Sequence, residues 1–152
     1  MLDTQRGLAY VWPLSTTHPT YFNHKTNNTV ANTLRIGAAG EKAATEYVRH
    51  TLGYTIAELN WRSGHHEVDI IAISSDGHYH FVEVKTRGVD YLVSPEEAIT
   101  PRKINNLVRS VNHYVALHEI QTEVWIDFIG VVMQDDEVVS LNFIPDISNL
   151  HW

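Results

Sequence analysis

The sequence predicts an α/β domain in which flanking helices cover a mixed central β-sheet. Three observations predict it. Apolar residues recur at three and four in two segments, which is helical spacing. Between and after them lie short runs rich in β-branched and aromatic residues, bounded by turn formers. The order along the chain is helix, three strands, helix, two strands, and several strand topologies remain open on that order alone.

The first helix is expected from about Ile36. Gly37-Ala38-Ala39-Gly40-Glu41-Lys42-Ala43-Ala44 leads into Tyr47-Val48, and Leu52 closes the pattern before Gly53. Ala, Glu and Lys favour it, and the paired glycines suggest close packing near its start. Strands follow at Tyr54–Trp61, Val68–Ile73 and His78–Arg87, with Asp76-Gly77 as the hairpin turn between the last two. Thr100 and Pro101 suit the cap and first turn of a second helix, whose buried face is Ile104, Leu107, Val108, Val111, Tyr114 and Val115. Strands at Glu123–Met133 and Val138–Phe143 finish the domain. The expected organisation is an irregular, Thr-, Asn- and His-rich arm over 1–34, one domain over 35–145 and a tail over 146–152.

A chain of 152 residues is long enough for one substantial core. It has no cysteine, which excludes disulfides, thiolate zinc sites and a thiol nucleophile. The first ten residues lack a basic stretch leading into an apolar one, and no apolar run approaches the roughly 18–20 residues of a membrane span. A cytoplasmic protein is the expectation. The net charge of −7 is uneven. Residues 1–109 hold 11 basic and 11 acidic residues, whereas 110–152 hold 7 acidic and no Lys or Arg. That balance argues against a non-specific DNA coat and leaves room for a local basic cleft.

The chemistry-bearing residues fall on the two central strands. Glu83 and Lys85 are two apart and share a strand face with Phe81 and Arg87, while Val82 and Val84 point to the other face. Charges inside a strand built for burial need partners. Asp69 stands 14 residues earlier, across the Asp76-Gly77 turn, where it can lie opposite or diagonal to Glu83. Two adjacent carboxylates repel, and a divalent cation removes that cost. Oxygen ligands favour Mg2+ or Mn2+, with Lys85 placed to orient water or stabilise developing charge. Glu41 lies near the apolar stripe of the first helix, either as a further ligand or as a first-turn glutamate favoured by the helix dipole. Asp69 with an E-x-K segment is also compatible with a plain ion pair at a sheet edge.

From about Ile36 to Val132 the chain resembles the YraN-like family of small uncharacterised bacterial proteins. The resemblance is carried by Gly37-Ala38-Ala39-Gly40-Glu41, Gly53-Tyr54, Asn60-Trp61-Arg62 and Glu67-Val68-Asp69-Ile70-Ile71-Ala72. It continues through Phe81-Val82-Glu83-Val84-Lys85-Thr86-Arg87, Pro95-Glu96-Glu97-Ala98-Ile99, Lys103 and Trp125-Ile126-Asp127-Phe128-Ile129. That family in turn resembles the PD-(D/E)-x-K superfamily of restriction endonucleases and Holliday-junction resolvases. The resemblance implies a restriction-endonuclease-like fold, Asp69 and Glu83 as metal ligands, Lys85 as the catalytic lysine and Glu41 as the helical acidic residue. It also implies DNA as partner, branched or damaged DNA as substrate, and a homodimer. The chain carries some 35 residues ahead of the family's usual start, and Gly64-His65-His66-Glu67 where members show Gly-Glu.

Glu67 shares a strand face with Asp69 and is either a further metal ligand or a solvent-facing strand-start residue. Arg62, Arg87, Arg102, Lys103 and Arg109 are candidates for contact with a nucleic-acid backbone, or solvated surface charges. His65-His66-Glu67 and the pair His78 and His80 invite a zinc reading, but no H-E-x-x-H spacing exists and adjacent histidines on an extended segment point apart. Three functions stay open: a metal-dependent deoxyribonuclease, a non-cleaving nucleic-acid-binding or scaffolding protein with the same fold, and an inert protein acting through partners.

Overall fold

The computed structural model describes residues 29–149, and the greater part of the expected N-terminal arm lies outside them. Helix α1 spans Thr29–Glu46 and runs into a π-helical turn at Tyr47–Thr51. Strands β1 (Thr55–Ser63), β2 (His66–Ile73) and β3 (Tyr79–Gly88) follow. A short 3-10 turn at Pro95–Ala98 leads into α2 (Pro101–Leu117), then β4 (Val124–Gln134), β5 (Glu137–Ile144) and a last 3-10 turn at Ile147–Asn149. The architecture is α/β, as expected: one five-stranded mixed sheet in the order β1-β2-β3-β4-β5, with two helices. Neighbours pair antiparallel except β3 and β4, which run parallel because α2 carries the chain between them.

Each helix covers one face of the sheet. Val82, Val84, Ile70, Ala72, Ile129 and Val131 pack with Ala44 and Val48 of α1. Phe81, Ile71, Ile126 and Phe128 pack with Ile104, Leu107, Val111 and Tyr114 of α2. Strand alternation sorts these side chains, and the expected split between Phe81 and its neighbours Val82 and Val84 is observed. Thr100 caps α2, accepting a hydrogen bond from the Lys103 amide. Gly53, at φ +70, ends the first helical segment in the left-handed conformation glycine adopts freely. Gly40 is the point of closest approach between α1 and β3, since a Cβ there would collide with the Thr86 side chain.

Strand ends shift by one or two residues from the expectation, and the two ends of the domain differ by more. α1 begins at Thr29, so residues 29–34 of the expected arm are helical. Val30 and Leu34 are spaced for a helix but face solvent, so the core pattern starts only at Ile36. At the other end Ile147, expected in the tail, is buried against the α2 side of the core. Among the described residues no helix is long and apolar enough to cross a membrane.

Candidate functional site

The β2–β3 ladder stops at Ile70 opposite Val82, one residue short of Asp69. The strands part there, and Asp69 enters the gap by its side chain: Oδ2 accepts a hydrogen bond from the Val84 amide at 2.8 Å. Asp69 is therefore not ladder-paired with Glu83, as a regular hairpin would place it, but bonds to the backbone of the next residue. The cause lies in β1 and β2. Val68 and Ile71 both belong to the α2-side core while Ile70 and Ala72 belong to the α1 side, so side-chain alternation breaks at Asp69. Opposite it, Asn60 takes φ 51, a left-handed conformation that asparagine tolerates better than most residues. A local break of this kind re-aims a side chain at a sheet opening.

Glu83 lies in the same opening, on the α2 face, and only 9% of its surface is exposed. Its Oε1 meets Lys103 Nζ at 2.8 Å, so the first turn of α2 supplies its counter-charge. Burial pushes the Glu83 carboxyl above its usual range and the Asp69 charge pushes it further, against the pull of Lys103 and Lys85. Asp69 is raised as well, chiefly by burial and secondarily by the Glu67 charge, against the Val84 amide and the two lysines. Burial alone would lower Lys103, but Glu83 and Asp69 hold it above its ordinary value. Lys85 is half-buried and, among the described residues, makes no ion pair. Asp69, Glu83 and Lys85 thus share one electrostatic neighbourhood, with Lys103 as an additional cation.

Glu41 reaches this neighbourhood from α1. Its carboxyl is raised by burial and by the Asp69 charge, while a side-chain hydrogen bond from Asn60 and the Arg62 charge oppose the shift. Glu41, Asn60 and Asp69 line a cavity of about 320 Å³ on the α1 side. Glu67, Glu83 and Lys103 line another of about 300 Å³ on the α2 side. Among the described residues no three acidic or histidine side chains converge as a ligand set for a metal ion. The four-carboxylate set of Asp69, Glu83, Glu41 and Glu67 is therefore not preassembled. The Asp69 charge acts on both Glu83 and Glu41, and Glu67 is exposed with Arg62 at 3.7 Å.

The basic candidates divide. Lys103 is committed to Glu83, a role its position alone did not reveal. Arg62 faces Glu67, and the Arg87 guanidinium lies 5.5 Å from the centre of the Tyr91 ring. Arg102 and Arg109 are exposed on α2. Among the described residues the histidines form no zinc group: His66 bonds Ser110, His78 faces Asp76, and His80 meets Asp127.

Sequence reasoning assigned no role to Asn60, Asn106, Ser110 or His113. Asn60 lines the same cavity as Glu41 and opposes the rise of its carboxyl, and Asn106 and Ser110 line the cavity beside Glu83. His113 bonds Ser63 and stacks on His66. One signal was available for the last three: they lie on a helix that holds three basic residues and no acidic one.

Comparison with known proteins adds the family. The model of the family described as "Uncharacterised protein family UPF0102" matches residues 40–131, which include Glu41, Asp69, Glu83, Lys85 and Lys103. The chain is 42% identical over 100 residues to a UPF0102 protein of Porphyromonas gingivalis, covering 66% of this chain and 73% of the relative. A UPF0102 protein of Bacteroides fragilis is 42% identical over 98 residues, covering 64% and 78%. One from Syntrophomonas wolfei is 37% identical over 101 residues, covering 66% and 86%. The chain belongs to the uncharacterised protein family UPF0102.

Proposed function

We propose that this chain is a metal-dependent endonuclease that hydrolyses phosphodiester bonds in DNA, with branched or damaged DNA as its substrate in the cytoplasm. One observation carries the reading: Asp69 and Glu83 both stand where β2 and β3 part, near enough for the Asp69 charge to act on Glu83, with Lys85 on the same strand as Glu83. The Asp69 charge raises the proton affinity of Glu83, a repulsion that a divalent cation relieves. The sheet supports the restriction-endonuclease resemblance, because the antiparallel β1–β3 unit carries the acids and α2 crosses to the parallel β4.

The donor chemistry suits Mg2+ or Mn2+. Asp69 and Glu83 would hold the ion with Glu41 beside them, and these hard cations keep several waters when few protein oxygens are offered. The ion would polarise the phosphate and make a bound water more acidic. Lys85 contributes an ammonium, free of any ion pair among the described residues, to stabilise charge developing on the phosphate oxygens. The Val84 amide fixes the Asp69 carboxylate. Lys103 holds Glu83 and keeps the opening near charge balance. The partner is DNA, and two copies of the chain act together, as the resolvase resemblance implies.

A second reading, a nucleic-acid-binding or scaffolding protein that keeps the fold without cutting, is favoured by the Lys103–Glu83 ion pair, which satisfies a carboxylate that a cation would otherwise use. Incubating the chain with a four-way DNA junction and Mg2+ or Mn2+ separates the two. The nuclease reading expects metal-dependent cleavage, with Glu83→Ala and Lys85→Ala each reducing it by more than about a hundredfold. Cleavage unchanged by both substitutions overturns the site assignment. Junction binding without metal-dependent cleavage supports the second reading.

A further inference from the structure

The cavity of about 300 Å³ beside Glu83 is built unlike the rest of the surface. One wall is α2, whose 17 residues include Arg102, Lys103 and Arg109 and no acidic residue, in a chain of net charge −7. Arg102, Asn106, Arg109 and His113 recur at four, three and four, so they form one stripe, and all four are exposed. Among the described residues Arg109 makes no ion pair. The facing wall is the β1–β2 turn with His65 and His66.

The rings on this side are held in place. His66 stacks on His113 with ring centres 4.7 Å apart and planes 22° from parallel, and its Nδ1 bonds Ser110 Oγ at 3.3 Å. His113 Nε2 bonds Ser63 Oγ at 3.0 Å, and its ring centre lies 6.0 Å from that of buried Trp61. Flat rings fixed beside guanidinium and amide donors recognise a nucleobase by stacking and its phosphate by charge. The volume is at the lower end of small-molecule sites, roughly 300–1,000 Å³, which suits one nucleotide and excludes a duplex. A base stacked and paired inside a duplex cannot enter such a cavity until it is unpaired.

We propose that this cavity receives one unpaired nucleotide next to the bond to be cut, its base against His66 and its phosphate toward Arg109. The preferred substrate is then DNA with a single-stranded arm at its branch point. The proposal rests on the nuclease reading for its location and stands apart from it in its test.

The test uses the full chain in EDTA, with a forked duplex carrying 2-aminopurine at the first unpaired position and a fully paired duplex of equal length as the control. The fork is expected to bind at least about tenfold tighter than the paired duplex, with the 2-aminopurine fluorescence quenched in the complex. Arg109→Ala, on an exposed side chain, should weaken fork binding about tenfold and paired-duplex binding by clearly less. His66→Ala, checked for folding by circular dichroism, should leave the probe bright in the complex. Equal affinity for fork and duplex, or fork binding unaltered by Arg109→Ala, overturns the proposal whatever His66→Ala does. Adding Mn2+ separates the two readings. A fork that stays bound, preferred and uncut removes the nuclease reading and supports the cavity. Cleavage of paired duplex as readily as fork supports the nuclease and removes the cavity proposal.

Discussion

The sheet carries two buried acidic clusters, and they are built in opposite ways. On β4, Asp127 is 1% exposed, yet both of its oxygens are satisfied. Oδ2 accepts from His80 Nδ1 at 2.7 Å and Oδ1 from the Asp146 amide at 2.9 Å. The Tyr54 and His80 rings pack at 4.4 Å, so β3, β4 and the C-terminal turn are tied together. At the opening of β2 and β3, burial instead raises both Asp69 and Glu83, and the Asp69 charge raises Glu83 further. One cluster spends its charge on holding the fold. The other gathers two raised carboxyls, one bonded to the Val84 amide and one paired with Lys103, beside the cationic Lys85.

The contrast breaks most visibly at Asp127. Asp127→Ala leaves His80 buried without its acceptor and releases the Asp146 amide. It should cost about 3 kcal/mol of stability, read by urea denaturation. A loss under about 1 kcal/mol would show that this cluster is not structural. Gly40→Ala sets a Cβ against the Thr86 side chain and should cost about 2 kcal/mol by the same measurement, because the clash reaches the Thr86 Cβ and a rotamer change alone does not relieve it.

Asp69→Asn should act in the opposite direction. The amide oxygen can still accept from Val84, and one of two repelling charges disappears. A gain of about 1 kcal/mol at neutral pH is expected, together with loss of junction cleavage. The sign follows from linkage. Asp69 and Glu83 are raised in the folded chain, so it holds protons that the unfolded chain releases from about pH 4 upward. Their contribution is therefore fully present below the ordinary values of 3.8 and 4.5 and is lost as pH rises through the folded values. Stability measured from pH 4 to 7 should fall less in Asp69→Asn than in the parent chain; an identical slope would contradict a raised Asp69 carboxyl. The smallest effect is expected at Arg62→Ala, under about 0.5 kcal/mol, because the pair with Glu67 is exposed and 3.7 Å long.

The same comparison explains what could be read in the sequence. Strand alternation placed Glu83 opposite Val82 and Val84, and apolar spacing marked the α2 face, because both are local periodicities. The parting of β2 and β3 was not legible. It depends on Asn60 adopting a left-handed conformation across from Asp69, and nothing in Leu59-Asn60-Trp61 announces that. The Lys103–Glu83 pair and the Asp127–Asp146 bond join residues about twenty apart, which periodicity cannot connect. The start of α1 was missed because Val30 and Leu34 carry helical spacing without burial. Asp127 was visible only as one position in the family pattern, with no hint that His80 would complete it.

The central claim is that Asp69 and Glu83 form a cation site. Anomalous diffraction from a manganese-soaked crystal tests it most directly. The account predicts a manganese peak between the Asp69 and Glu83 carboxylates, with Lys103 Nζ moved off Glu83 Oε1. A map with no manganese peak there and the Lys103–Glu83 pair intact would contradict it.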